Sequence, residues 1–365
     1  MTVDPSIARR RLRAQALLGE PKATPAEVVR HLVAVQSQDY LGATWALAQR
    51  SGDPAQAAVD AAFDAGGFIR THVLRPTWHF VAPEDLRWLL ALNGPRRIRG
   101  AGHRHRVLGI DGPLAARAIS IFERAIADDG PRTRPQLGQA LADHGIIADG
   151  GMLAHLVMWA EAEARLCSGP RVGALHSYVL VDERVPPAAV PTGDEALALL
   201  AHRYVAGHGP VQDVDLAWWA GINLGEARRG LAAASPALRS DVVDGRRFWS
   251  VDGSDAVIDD AARAVPSMHL LPNYDELLVA LRDRSDGLDP ALPPWARTAE
   301  EIFSHVIVRD GLVVGRWLRS TGKGPLRLTL EPRVPLRSED LARLAGAVRR
   351  YGAFVGRPVG VIGLD

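Results

Sequence analysis

Cysteine is almost missing. Cys167 stands alone among 365 residues, which excludes a disulfide framework and leaves too few thiolates for a sulfur-rich metal site. Long apolar runs are missing too. None approaches the ~20 residues needed to cross a bilayer, and Arg9, Arg10, Arg11 and Arg13 are not followed by the apolar stretch of a secretory signal. The expected compartment is the cytoplasm. No excess of one charge is present either: 43 basic against 42 acidic side chains give a formal +1, far from the basic balance common among nucleic-acid binders. With 47% hydrophobic residues, there is material for about two to four domains with real cores.

Familiar catalytic apparatus is absent as well. Gly322-Lys323-Gly324 lacks the spacing and the hydroxyl residue of a phosphate loop, and no Gly-x-Gly-x-x-Gly, Gly-x-Ser-x-Gly, paired-Cys or His-Glu-x-x-His motif occurs. His103 and His105 sit among arginines, whose charge disfavours a bound cation, so neither metal nor cofactor is expected. Asp259-Asp260 and the pair Asp213 and Asp215 read as turn and cap residues.

What is present is a repeated pattern of two short amphipathic helices followed by an arginine-bearing hairpin, the order of a winged helix-turn-helix. The third copy is the plainest. Gly209-Pro210 leads to a helix carrying Leu216, Trp218 and Trp219, Gly221-Ile222-Asn223 makes the turn, Leu224 to Ala233 forms the second helix, and Asp244-Gly245 joins two strands. The second runs from Arg134 through a break at 143–150 and a helix at 152–165 to a wing at 166–181. In the first, Thr24-Pro25-Ala26-Glu27 opens a helix with a capping box, Ala55 to Ala65 forms another, and Ile69 to Val81 folds back around Leu74-Arg75-Pro76. Past about residue 266 the pattern changes to strands: 303–310 and 312–319 across Asp310-Gly311, then 326–331, an amphipathic helix over 338–351 and a final apolar strand. Pro272 to Leu278 reads as an Asn273 cap with an acid three residues on.

The expected class is α+β, with three tandem winged helices followed by a small antiparallel barrel or sheet, divided at 1–110, 111–190, 191–265 and 266–365. Three such modules in series suit a duplex, and a monomer is expected because one chain already supplies the multiplicity. Between Arg96 and Arg106, five arginines (Arg96, Arg97, Arg99, Arg104, Arg106) and two histidines occur with glycines and no carboxylate. This reads as a flexible cationic segment, either a solvated linker or a contact for backbone phosphates.

The segment Leu32-Val33-Ala34-Val35-Gln36-Ser37-Gln38-Asp39-Tyr40, with Gly42-Ala43-Thr44-Trp45-Ala46-Leu47, resembles the Gln-x-Gln motif of the AlkZ-type bacterial DNA glycosylases. The similarity continues through Arg70 to His79, Gly209-Pro210 with Asp215 to Trp219, Leu270 to Glu276, and Val314 to Trp317. It departs at Ser37, where the family carries an apolar residue. The resemblance implies a winged-helix enzyme that removes bulky alkylated purines and unhooks interstrand crosslinks, with double-stranded DNA as partner, and it places the chain near the nucleoid. It also implies that a carboxy-terminal hairpin probes the minor groove; Thr321 to Pro325, with Lys323 as its charge, is the candidate.

The chemistry fits neutral amides. A purine alkylated at N7 is already cationic and departs as a neutral base without a general acid. A water held against the anomeric carbon, and dipoles tolerant of positive charge on the sugar, suffice. Gln36 and Gln38 are the candidates, with Asp39 as reserve base; read from the residues alone they are solvent-facing or capping. Val28, Leu32 and Val35 keep a helical stripe up to the motif, where residues two apart diverge by about 200°, so convergence needs the helix to end. His72, Arg75, Thr77 and His79 alternate on a hairpin as candidate DNA contacts, either imidazole being as readily structural. The competing function is a non-catalytic DNA-binding regulator or damage sensor.

Overall fold

Asp310-Gly311 and Asp244-Gly245 form the turns of two antiparallel hairpins. In the computed structural model both pairs have positive φ, 52° and 87° for the first and 49° and 75° for the second, the backbone of a two-residue turn matched to strand twist. Residues 5–52, 55–173, 175–251, 267–320 and 325–363 are described; Lys323, Asp259 and Asp260 fall outside them. The class is α+β, and the chain forms two units, Met1–Asp60 with Leu197–Asp365, and Ala61–Ala196.

The first unit is built on a five-stranded sheet. Strand Leu312–Arg319 lies at its centre, flanked by Val306–Arg309 and Leu326–Pro332, with Met268–Leu271 and Val359–Ile362 at the edges. Three pairings are antiparallel, but Val359–Ile362 runs parallel to Leu326–Pro332. The expectation of a wholly antiparallel sheet is corrected there: the helix Ser338–Val355 separates those strands, and a helical crossover returns the chain in the same direction. Gly315 permits close pairing, since a Cβ there would stand 2.5 Å from the Glu331 carbonyl oxygen. On one face, Trp45, Trp317, Tyr351 and Phe354 interlock, with ring centroids 5.1–5.2 Å apart for Trp45 with Tyr351 and Phe354 and for Trp317 with Tyr351. The Trp45 and Trp317 indoles donate to the Leu270 and Leu271 carbonyls at 2.7 and 2.8 Å, which fastens the helix Tyr40–Ala48 to the sheet edge.

Also in this unit, helices Asp213–Ala220 and Leu224–Ala234 meet across Gly221, left-handed at φ 66°, and the Asn223 side chain caps the second by accepting from the Glu226 N–H. Strands Leu238–Val243 and Arg246–Val251 follow in antiparallel register, and Val211 exchanges both backbone hydrogen bonds with Trp249.

The second unit gathers helices Pro83–Gly100, Gly102–Val107, Gly112–Asp129, Arg134–Asp143 and Gly150–Ala162 around Phe122, Leu137, Leu141, Leu156 and Tyr178. Strands Ile69–Thr71 and His79–Val81 pair antiparallel, and Ser177–Leu180 lies between Arg132–Thr133 and Leu166–Ser168. Helices Pro83–Gly100 and Gly150–Ala162 pack so closely that a Cβ on Gly94 would stand 2.2 Å from the Ala162 carbonyl oxygen. Arg96 to Arg106 is therefore not a flexible segment. It is helical on both sides of Ala101: its first part continues the helix Pro83–Gly100, which carries Leu89, Leu90 and Asn93 into the interior, and its second buries His105.

Candidate active site

The helix Pro25–Leu32 ends early. Its C-cap, Val33, sits at φ 67° and ψ −52°, a conformation that costs a β-branched residue about 1–3 kcal/mol and persists only where surrounding packing imposes it. Strand Ala34–Gln36 follows, so the helical stripe expected to run through Val35 stops before it. Gln36 lies on extended backbone, buried at 7% exposure, while Gln38 is exposed. Asp39 caps the next helix, accepting from the Gly42 N–H at 3.2 Å.

Carboxylates far along the chain hold this turn. The Gln36 N–H donates to Glu276 Oε1 at 2.7 Å. The other oxygen of Glu276, a residue 1% exposed, accepts from the Trp219 indole at 3.1 Å and lies 3.5 Å from His208 Nε2. Asp275 takes two hydrogen bonds from Arg50, at 2.7 and 2.9 Å, and Arg50 also donates to Gln15 Oε1, to the Gln15 carbonyl and to the Ala46 carbonyl. A buried ion pair with its remaining donors satisfied holds geometry well, and losing one partner leaves a stranded charge. Asp275, not Asn273, caps the short helix Glu276–Val279, by accepting from the Leu277 N–H. Asn273 instead turns toward the motif: a Cβ on Gly42 would stand 2.8 Å from Asn273 Oδ1 and 3.2 Å from Asp39 Oδ2.

The surroundings of Asp39 are mixed in charge. Arg319 approaches its carboxylate at 3.9 Å. Burial, helped by Arg319 and opposed by Asp39, pushes the His305 imidazole down to about 4, so it is neutral near pH 7. Among the described residues neither Gln36 Oε1 nor Asn273 Oδ1 has a hydrogen-bond partner, and both atoms are buried. No described cluster of His, Cys, Asp and Glu could hold a metal ion, and no described helix is long and apolar enough to cross a membrane.

The hairpin candidates lie in the second unit and are largely enclosed. His72 is 6% exposed, its Nδ1 is 2.6 Å from Glu161 Oε2, and its ring lies 4.1 Å from that of Trp78. His79 has no exposed surface, and burial, with the charges of Arg75, Arg97 and His72, holds its imidazole well below the ordinary range. A direct phosphate contact requires a side chain that solvent reaches, which neither imidazole offers here. Arg75 and Thr77 are half-buried. Of the five arginines, Arg99, Arg104 and Arg106 are exposed and Arg96 is half-buried. Arg97 donates to the His72 carbonyl, and burial lowers its guanidinium to about 10.

Sequence reasoning missed Glu276, Arg50, His305 and Arg319. Only the Asn-Tyr-Asp-Glu run carried a signal, because two adjacent acids in an otherwise apolar stretch require buried partners.

Over 98% of its length the chain is similar in fold to 99% of the solved Streptomyces sahachiroi DNA glycosylase AlkZ, with a TM-score of 0.74 at 20% identity. A curated relative, the interstrand DNA cross-link repair glycosylase of Streptomyces sahachiroi, is 24% identical over 328 residues, 84% of this chain and 85% of the relative. A family model described as DNA glycosylase AlkZ-like matches residues 29–354. That match spans most of the chain and defines its class, a DNA glycosylase that hydrolyses N-glycosyl bonds. The chain belongs to the AlkZ-like DNA glycosylase family.

Proposed function

We propose that the protein is a monofunctional glycosylase for cationic N-alkylated purines in duplex DNA, extending to bulky adducts and interstrand crosslinks, in which Gln36 and Gln38 position the attacking water. The carrying observation is the early stop of the helix Pro25–Leu32: Val33 ends it and Ala34–Gln36 is extended, so the divergence of about 200° that a helix would impose on Gln36 and Gln38 is removed. The exposed Gln38 meets the water, and Gln36 backs it with a buried carbonyl oxygen. Water oxygen bonds to C1′, the C1′–N9 bond breaks, and its electron pair neutralises the purine cation. The released water proton passes to Asp39 or to solvent. A lysine nucleophile plays no part, so strand cleavage does not accompany base release.

The crosslink substrate follows the repair activity for which the Streptomyces sahachiroi relative is named, the match covering 84% of this chain and 85% of the relative. For binding, the three helix pairs with trailing hairpins act as winged helices, and Arg99, Arg104 and Arg106 neutralise phosphates, with Arg75, Thr77 and Arg96 adding polar contacts. Arg97, His72 and His79 stand behind that surface and shape it. The enzyme acts as a monomer near the nucleoid.

Gln36 being 7% exposed favours a second reading, in which it is a structural amide and the protein is a damage sensor. Incubation with duplex carrying 7-methylguanine, and separately with crosslinked duplex, decides between them. Release of free base above the thermal background supports the glycosylase, and release from neither duplex supports the sensor.

A further inference from the structure

Gly42 is an odd choice for its place. It lies inside the helix Tyr40–Ala48, where alanine propagates the helix better than glycine, and it is buried. The space beside it supplies a reason. A side chain there would crowd Asn273 Oδ1 at 2.8 Å, Asp39 Oδ2 at 3.2 Å and Pro272 Cβ at 3.2 Å. An amide oxygen and a carboxylate oxygen thus flank one point on the helix that the Gln-x-Gln turn leads into.

Asn273 Oδ1 is buried and has no hydrogen-bond partner among the described residues, which is unfavourable for an amide oxygen unless another donor reaches it. The amide is held where it is. Tyr274 next to it adopts φ 57°, and its N–H donates to the Phe303 carbonyl at 3.2 Å. Asp275 is tied to Arg50, and Glu276, three residues after Asn273, accepts from the Gln36 N–H at 2.7 Å. Two buried amide oxygens without partners among the described residues, on Asn273 and Gln36, are therefore carried by segments joined through a hydrogen bond.

We infer that Asn273 is a third catalytic amide, accepting a hydrogen bond from the attacking water opposite Asp39, and that Gly42 is glycine to keep that acceptor pair open. This rests on the proposed glycosylase function. In the step, one water proton stays hydrogen-bonded to Asn273 Oδ1 while the oxygen bonds to C1′. The other passes to the Asp39 carboxylate, and the C1′–N9 pair leaves with the purine. An amide in that position orients the water without taking a proton, which suits a leaving group that needs none.

The test is single-turnover release of 7-methylguanine from duplex by Asn273→Ala, Asn273→Asp and Gly42→Ala, with duplex affinity and thermal midpoint measured on each and Gln36→Ala as reference. Asn273→Ala is expected to slow release about 100-fold, with affinity within a few-fold of the parent. Gly42→Ala is expected to slow it at least about tenfold with a thermal midpoint near the parent's, the helix gain of alanine offsetting the crowding of the amide. Asn273→Asp sets a second carboxylate beside Asp39, so the acid limb of the pH profile moves upward as one of the pair titrates late; an unmoved limb would place position 273 away from the group that governs release. Release by Asn273→Ala within twofold of the parent, while Gln36→Ala is inactive, overturns the role of Asn273 and spares the parent function. If Asn273→Ala fails to fold, an unmoved acid limb in Asn273→Asp with normal release by Gly42→Ala overturns it equally. Inactivity of the unaltered protein strikes the proposed function instead.

Discussion

Two polar clusters, one in each unit, differ in how far their side chains reach solvent. Around Gln36 the charged groups are buried and paired, Arg50 with Asp275 and Glu276 with the Gln36 N–H and the Trp219 indole, while Gln38 and Asp39 stay within reach of solvent. Around His72 the polar groups turn inward. Glu161 and His79 have no exposed surface, and Trp78 is in contact with the His72 ring and with the Arg70 guanidinium, 4.4 Å from its centroid. In sequence the two segments look alike, glutamines or histidines set into apolar runs. The difference lies in what the paired charges stand beside: in the first unit Gln38 and Asp39, which solvent reaches, and in the second Glu161 and His79, which it does not.

The largest effect expected from breaking this contrast comes from the network behind the glutamines. Asp275→Asn strands the Arg50 guanidinium, 1% exposed, and is expected to lower stability by about 3–5 kcal/mol, read by urea denaturation. Base release should fall in the same variant even under conditions where it remains folded, because the Gln36 turn loses its support. A change below about 1 kcal/mol would mean that the pair holds nothing in place.

In the second unit the corresponding test is steric. Gly94→Ala drives a methyl against the Ala162 carbonyl oxygen, 2.2 Å from an ideal Cβ, and is expected to cost about 1–3 kcal/mol. Duplex affinity should fall with it if the arginines beyond Gly94 depend on that helix crossing, whereas the rate of base release from bound duplex should hold.

Acid should weaken both units. Burial lowers His305 in the first unit and His176 in the second to about 4, each from an ordinary 6.5. Because the unfolded chain takes up protons that the folded imidazoles refuse, stability is complete above pH 6.5 and falls as pH drops toward 4. The expected loss is on the order of 2 kcal/mol per imidazole, and His305→Asn should flatten the decline, followed by thermal melts across that range. A pH-independent midpoint between 6.5 and 4 would show that these rings protonate in the folded state.

The smallest effect concerns binding alone. Replacing Arg99, Arg104 and Arg106 with glutamine should make the salt dependence of duplex affinity shallower by about 2–3 in log–log slope, at roughly 0.9 per phosphate released, across all sequences alike. An unchanged slope would remove these side chains from the interface.

Legibility in the sequence followed the range of the interactions. Asp244-Gly245, Asp310-Gly311, the Thr24 cap and the turn at Gly221 are set by neighbouring residues, and they form as the sequence suggests. The helix at 338–355 follows its own periodicity. Its consequence, a parallel final strand, depends on pairing across a crossover and leaves no local trace. Arg96 to Arg106 looked flexible because glycine and charge are local cues, whereas the burial that keeps it helical comes from elsewhere in its unit. Glu276 acts on a residue 240 positions away, and no spacing rule joins them; Asn273 and Asp275 are both good cap residues two positions apart, and Asp275 performs that task.

The most direct measurement is single-turnover release of 7-methylguanine by the double variant Gln36→Ala, Gln38→Ala, with duplex affinity determined on the same preparation. Water positioning by these amides requires release to fall by at least about 100-fold while affinity stays within a few-fold. Release near the parent rate, or affinity and release falling together, would contradict it.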